Sequence, residues 1–107
     1  MRMMVFFDLP VTTPQQRKTA TQFRKFLIKD GYFMLQFSVY ARICNGTDSV
    51  ETHRRRLHTN LPKNGSVRCL TITEKQYQAI EILVGNYTPS EESTLGSKIG
   101  YEQLSIY

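Results

Sequence analysis

The stretch Met3-Met4-Val5-Phe6-Phe7-Asp8-Leu9-Pro10 decides the fold. Its apolar run ends in a carboxylate and is stopped by a proline, the pattern of a buried strand closed by a turn. Side chains alternate along a strand, so Met3, Val5 and Phe7 share one face and Met4, Phe6 and Asp8 the other. Both faces are apolar, which places this strand in the interior of a sheet with cover on both sides. Asp8 stands where the strand gives way to a loop, a position from which scaffolds often present chemistry. A turn cap is the plainer role for the same residue.

Outward from this strand, Thr13, Pro14 and Gln16 spell a helix start with an N-cap, a proline in the first turn and a capping box. The helix is expected to run to about Asp30, with Gly31 as a left-handed stop. Ala20, Phe23 and Leu27, with Phe26 beside them, form its core stripe. Arg17, Lys18, Arg24, Lys25 and Lys29 make the rest of it basic, against the single acid Asp30. A one-signed helix face suits an anion better than it suits water alone.

Tyr32 to Ile43 is strand-like, but Gln36 and Ser38 interrupt it. Two strands, or one strand with a bulge, are expected there. Asn45-Gly46 turns the chain into a second helix reaching Asn60 or Leu61, capped by Thr47 or by Asp48 with Glu51. Val50, Leu57 and Leu61 mark its inner side, with His53 or Arg54 between them. Arg54, Arg55 and Arg56 spread around the helix and are candidates for phosphate contact. His53 and His58 point in different directions and make a poor metal pair. Ser66 to Thr73 reads as a strand, Glu74 to Gln78 as a short helical turn, and Ala79 to Val84 as a further strand. The Gly, Ser, Thr, Glu and Pro content of 85–100 reads as a linker or surface loop. Tyr101 to Tyr107 is strand-like again.

The 107 residues suit one domain, divided here into a core unit, 1–84, and a linker with closing strand, 85–107. The formal charge of +5 directs attention to anionic partners. Cys44 and Cys69 sit in strand-like runs and are read as two buried thiols in a reducing compartment. No signal peptide opens the chain and no stretch approaches the ~20 apolar residues of a membrane span. The expectation is a soluble, cytoplasmic protein with no membrane partner.

Strand, helix, two strands, helix, strand is the α+β ferredoxin-like βαββαβ plan, with an additional C-terminal strand here. Both helices then cover one sheet face. The apolar residues on the other face call for cover, and a second copy of the chain would supply it, so a homodimer is expected.

The residues also carry a resemblance. Phe6-Phe7-Asp8-Leu9-Pro10, then Asp30-Gly31-Tyr32 and Leu35-Gln36-Phe37-Ser38-Val39-Tyr40, resemble the CRISPR-associated protein 2 family over nearly the whole chain. Gly65 to Thr73 resembles the variant found beside type II systems. The resemblance implies a homodimer whose C-terminal strand packs on the partner subunit. It implies a place in CRISPR spacer acquisition, with dimers of the CRISPR-associated integrase flanking this dimer on double-stranded DNA. It also implies metal-dependent endonuclease activity on RNA or DNA, with Asp8 as catalytic and metal-binding aspartate for Mg2+ or another divalent cation. Phe7, Ser38 and Tyr40 become neighbours of that site.

Three functions therefore stand side by side. A rigid dimer with a basic helix face can grip duplex phosphates without reading sequence. A metal nuclease needs more than the one carboxylate this stretch offers, and a two-fold mate would bring a second Asp8. A single-strand RNA module would need bare aromatics on the open sheet face.

Overall fold

The computed structural model describes residues 1–95. The strand expected at 101–107, and its packing on a partner, lie outside the described residues. The order is β1 (Arg2–Asp8), α1 (Pro14–Lys29), β2 (Phe33–Gln36), β3 (Val39–Ile43), α2 (Thr47–Thr59), β4 (Ser66–Ile72), α3 (Glu74–Gln78) and α4 (Pro89–Leu95). The strands form one antiparallel sheet in the order β2-β3-β1-β4. That is the strand order of the ferredoxin-like plan, with β1 inside as its two apolar faces require.

Local chemistry sets the elements. The Thr13 hydroxyl accepts the Gln16 amide at 3.1 Å, and the Gln16 side chain accepts the Thr13 amide at 3.1 Å, closing the capping box. α1 ends at Lys29 with Asp30 as cap, and Gly31 takes φ +95°. The backbone sign calls for glycine there, since a Cβ would meet only the movable end of the Arg42 side chain. Between β2 and β3 the register shifts at Met34/Gln36, where the sequence pattern is broken.

The core lies between the sheet and the two long helices. Met3, Val5 and Phe7 of β1 meet Phe23 and Leu27 of α1, Tyr40 of β3, and Val50 and Leu57 of α2. Phe7 packs edge-on to Phe23 at 5.2 Å between ring centroids, a favoured aromatic geometry. Burial also picks His53 over Arg54 for the inner side of α2, while Leu61 lies outside the helix and is exposed.

Several expectations are corrected. The cap of α2 is Gly46, with no side-chain capping bond, because the turn enters the helix at Thr47 and carries both Thr47 and Asp48 into the first turn. Cys44 is buried but Cys69 is exposed, since β4 is an edge strand. Ala79–Val84 forms no strand. After α3 the chain follows an irregular path through Gly85, and α4 occupies part of the expected linker.

The second sheet face is not left bare either. Tyr77 of α3 packs on Met4 and Ala41, and Met4 is only 7 % exposed. The chain thus covers part of the face for which a second copy was invoked. Exposed apolar groups persist on the molecule, Leu70 of β4 and Phe37 of the β2–β3 turn among them.

This cover is fastened by a buried arginine. Arg2, fully buried in β1, donates to both carboxylate oxygens of Glu74 at 2.9 and 2.5 Å and to the Thr94 hydroxyl at 3.1 Å. Its guanidinium carbon lies 3.9 Å from the centre of the Tyr77 ring, a cation–π contact. The Tyr77 hydroxyl donates to Glu91 at 2.7 Å. One side chain therefore binds α3 and α4 to the sheet.

Candidate nucleic-acid and metal site

Asp8 is the last residue of β1 and is exposed, on the face away from the long helices. Two backbone contacts fix its position. The Phe7 amide donates to the Ser38 carbonyl at 3.0 Å, which brings the β2–β3 turn alongside. On the other flank Asp8 pairs with Ser66, immediately after Gly65. Gly65 has φ +94°, and a Cβ there would lie 2.6 Å from the Asp8 carbonyl oxygen. Gly65→Ala is therefore expected to force β4 away from the end of β1 and to cost about 2 kcal/mol in left-handed strain and displacement. Denaturant unfolding checks the cost, and an unchanged midpoint would refute it.

The neighbours named for Asp8 divide between the two faces. Ser38, with φ 64°, is half-buried in the turn beside it. Phe7 and Tyr40 belong to the helix-side core, their rings 5.6 Å apart, and Tyr40 is aligned with Val5. Through its own chain, then, Tyr40 supports the strand that carries Asp8 rather than sharing the carboxylate's face.

Asp8 fits a divalent cation in part. A carboxylate is a hard oxygen donor, and Mg2+ commonly keeps several waters and takes one or two carboxylates besides phosphate oxygens. Among the described residues no three His, Cys, Asp or Glu side chains gather as a metal cluster. Asp8 can supply one anionic ligand, and a bound cation would need the remainder from other donors such as water and phosphate oxygens. Neither of two clefts, one between α1 and 61–64 and one beside Gln36 and 80–86, has Asp8 in its lining. An open strand end suits a polymer lying across it better than an enclosed small molecule.

The basic residues are also sorted by the fold. α1 contains no acid, and Arg17, Lys18, Lys25 and Lys29 are exposed on it while Arg24 is half-buried. Arg17 donates to the Val11 and Thr12 carbonyls, which steadies it at the start of the helix. The arginine triplet is less uniform than its sequence suggests. Arg54 pairs with Glu51, and Arg56 pairs with Asp30 at 2.9 Å. Among the described residues Arg55 alone of the three has no ion pair.

The sequence reading missed the centre of that region. The Asp30 carboxylate receives His53 at 2.7 Å and Arg56, while its carbonyl receives Arg42. Asp30 thereby joins the end of α1 to β3 and α2. Its exceptional place as the one acid ending a basic helix was the available signal. Arg2 was missed as well, and nothing in its local pattern marks it.

The open-face aromatics do not form a bare platform. Phe6 and Phe33 are packed against the cluster of Met4, Ala41 and Tyr77. Among the described residues no helix is long and apolar enough to cross a membrane.

Comparison with known proteins agrees with these features. Residues 1–80 match the family model for CRISPR associated protein Cas2, which takes in all four strands of the described residues and ends after α3. The chain is 59 % identical over 85 residues to a CRISPR-associated endoribonuclease Cas2 of Acidovorax ebreus, covering 79 % of this chain and 83 % of that protein. It is 46 % identical over 85 residues to a protein of the same name from Ligilactobacillus salivarius, covering 79 % of this chain and 84 % of the relative. The crystal structure of Streptococcus pyogenes Cas2 at pH 6.5 superposes with a TM-score of 0.59 at 24 % identity, covering 78 % of this chain and all of that one, a likeness of fold. By the extent of these matches and the strand that presents Asp8, the chain belongs to the CRISPR-associated protein Cas2 family.

Proposed function

We propose that the chain acts in CRISPR spacer acquisition as a cytoplasmic homodimeric scaffold that binds duplex DNA and bridges dimers of the CRISPR-associated integrase. The observation that carries this reading is the acid-free α1, with four exposed cations along it. Such a surface neutralises phosphates without reading base edges. Family membership supports the acquisition role, and the Gly65–Thr73 segment fits the type II variant. The integrase supplies the chemistry of joining, and this protein supplies a rigid spacing element.

Light scattering tests the assembly. The protein alone is expected at twice the 12.4 kDa chain mass, with larger defined complexes on adding integrase and short duplex DNA. Duplex affinity is expected to fall with salt by roughly one unit of log–log slope per phosphate contact, for unrelated sequences alike. A monomer at micromolar concentration, or affinity flat from low to moderate salt, would rule the scaffold out.

A second reading is favoured by the relatives named endoribonucleases and by the exposed Asp8 carboxylate. In it Asp8 from each subunit would hold Mg2+ or another divalent cation. When bound, the ion would offset charge on the phosphate and supply activated water. Asp8 itself would provide the anionic ligand at a fixed strand end, held by the Phe7–Ser38 bond and by Gly65.

A further inference from the structure

Asp8 and Arg68 share the sheet face away from the long helices. β1 and β4 pair antiparallel with Phe6 opposite Arg68 and Asp8 opposite Ser66. Arg68 is thus the diagonal neighbour of Asp8, about 7–8 Å away between backbones. The face assignment agrees with packing along β4. Val67 joins the helix-side core, while Ile72, an even number of residues from Arg68, joins the Met4 cluster on the other side. Both Asp8 and Arg68 are exposed. Neither side chain has a hydrogen bond or ion pair among the described residues.

Other arginines, two on the sheet and one on α1, differ. Arg2 is committed to Glu74, Arg42 to the Asp30 carbonyl and Arg17 to its loop carbonyls. Arg68 is an unspent guanidinium held on a rigid strand beside an unspent carboxylate. The gap between them suits a group that answers both, anionic toward the arginine and able to share a cation with the aspartate. A phosphodiester does this. One of its non-bridging oxygens can take guanidinium N–H bonds at about 2.7–2.9 Å while the other faces a cation shared with a carboxylate.

We propose that Arg68 is a phosphate-holding residue, binding the backbone of a nucleic acid that crosses the Asp8 end of this sheet face. The proposal rests on the second reading above for its location, and it adds the residue that positions the strand. Arg68 acts by positioning. Its planar fork fixes the phosphate's orientation as well as its charge, which a lysine would do less well.

The test measures binding of short labelled single-stranded RNA and duplex DNA in EDTA across a salt series. Parent, Arg68→Ala and Arg68→Lys are compared, with mass by light scattering for each. Arg68→Ala is expected to weaken binding of at least one of the two probes roughly tenfold, as loss of one charge-assisted contact. It should also lower the salt slope by about one. Arg68→Lys should restore the slope but only part of the affinity, and the mass should not change. The probe that responds identifies the nucleic acid held there. Unchanged affinity and slope for both probes would overturn the proposal. Loss of dimer mass in Arg68→Ala would overturn it too, by assigning Arg68 to a contact between copies. A separate cleavage assay on Asp8→Asn, run with added Mg2+ and no EDTA, separates the two ideas. Unchanged metal-dependent cleavage in that variant defeats the role of Asp8, whereas the EDTA measurement on Arg68 stands independently of it.

Discussion

Asp8→Asn is expected to fold, to retain the parent's oligomeric mass, and to bind duplex DNA as the parent does, while any metal-dependent cleavage falls by about a hundredfold or more. The fold should survive because the Asp8 side chain is exposed and makes no ion pair among the described residues; its place is held by backbone contacts to Ser38 and Ser66. Asparagine keeps the size and one acceptor oxygen. It loses the negative charge that a hard cation requires, and several kcal/mol of transition-state stabilisation depend on that cation. DNA binding should persist because the cations of α1 are on elements that Asp8 does not touch. Cleavage assays on RNA and DNA, run beside spacer-acquisition assays, decide among the roles. Acquisition that survives in Asp8→Asn supports the scaffold. Acquisition lost while dimer and DNA complex remain intact would show that chemistry at Asp8 is needed, and cleavage that is unchanged would place the activity elsewhere.

Glu74→Ala should be the most damaging single change on the opposite end of the sheet. It leaves the Arg2 guanidinium buried in the central strand without its carboxylate, a situation that costs about 3 kcal/mol. For a domain of this size that corresponds to a fall in Tm on the order of 12–20 °C. Arg2→Met should cost much less, because Glu74 is 41 % exposed and can hydrate when its partner is gone. The double variant should recover most of the loss, since an apolar side chain can replace a buried pair at little cost. Equal damage from both single changes would refute this account. The pH dependence follows from the same bonds. Hydrogen bonding to Arg2 holds the Glu74 carboxyl below its usual value, so its contribution is complete above about pH 4.3 and drains away as pH falls through the lower folded value. Burial and the bond to Glu91 push the Tyr77 hydroxyl upward, so its contribution is complete below about pH 10 and is lost as pH rises beyond that.

The sheet was legible because its signals are local and redundant. β1 is apolar on both faces, the Thr13–Gln16 box has a fixed spacing, and Gln36 and Ser38 visibly interrupt the second strand region. The C-terminal part was not. Ile80, Ile82, Leu83 and Val84 have strand composition, yet this segment pairs with neither edge strand, β4 or β2, among the described residues. Composition reports what a segment favours, and not whether it reaches an edge in register. Asp8 could be singled out as a candidate because a carboxylate closing an apolar strand is conspicuous. Arg68 could be placed on a face but given no meaning, because its relation to Asp8 exists only through the register of two strands far apart in sequence. The arginine triplet looks uniform in sequence, yet Glu51 and Asp30 pair with two of its members, a difference that adjacency does not show.

The position of β1 has a consequence for synthesis. It is made first, but its partner β3 follows only after α1, and β4 only after α2, with Arg2 meeting Ile72 and Asp8 meeting Ser66. Until residue 72 has left the ribosome, the most apolar strand of the protein has at least one unpaired edge. Contacts this distant along the chain slow folding, and an exposed apolar edge invites pairing with other chains in the interval. Nascent chains halted between β3 and β4 should therefore engage chaperones or aggregate, and release from that state should come with the arrival of β4.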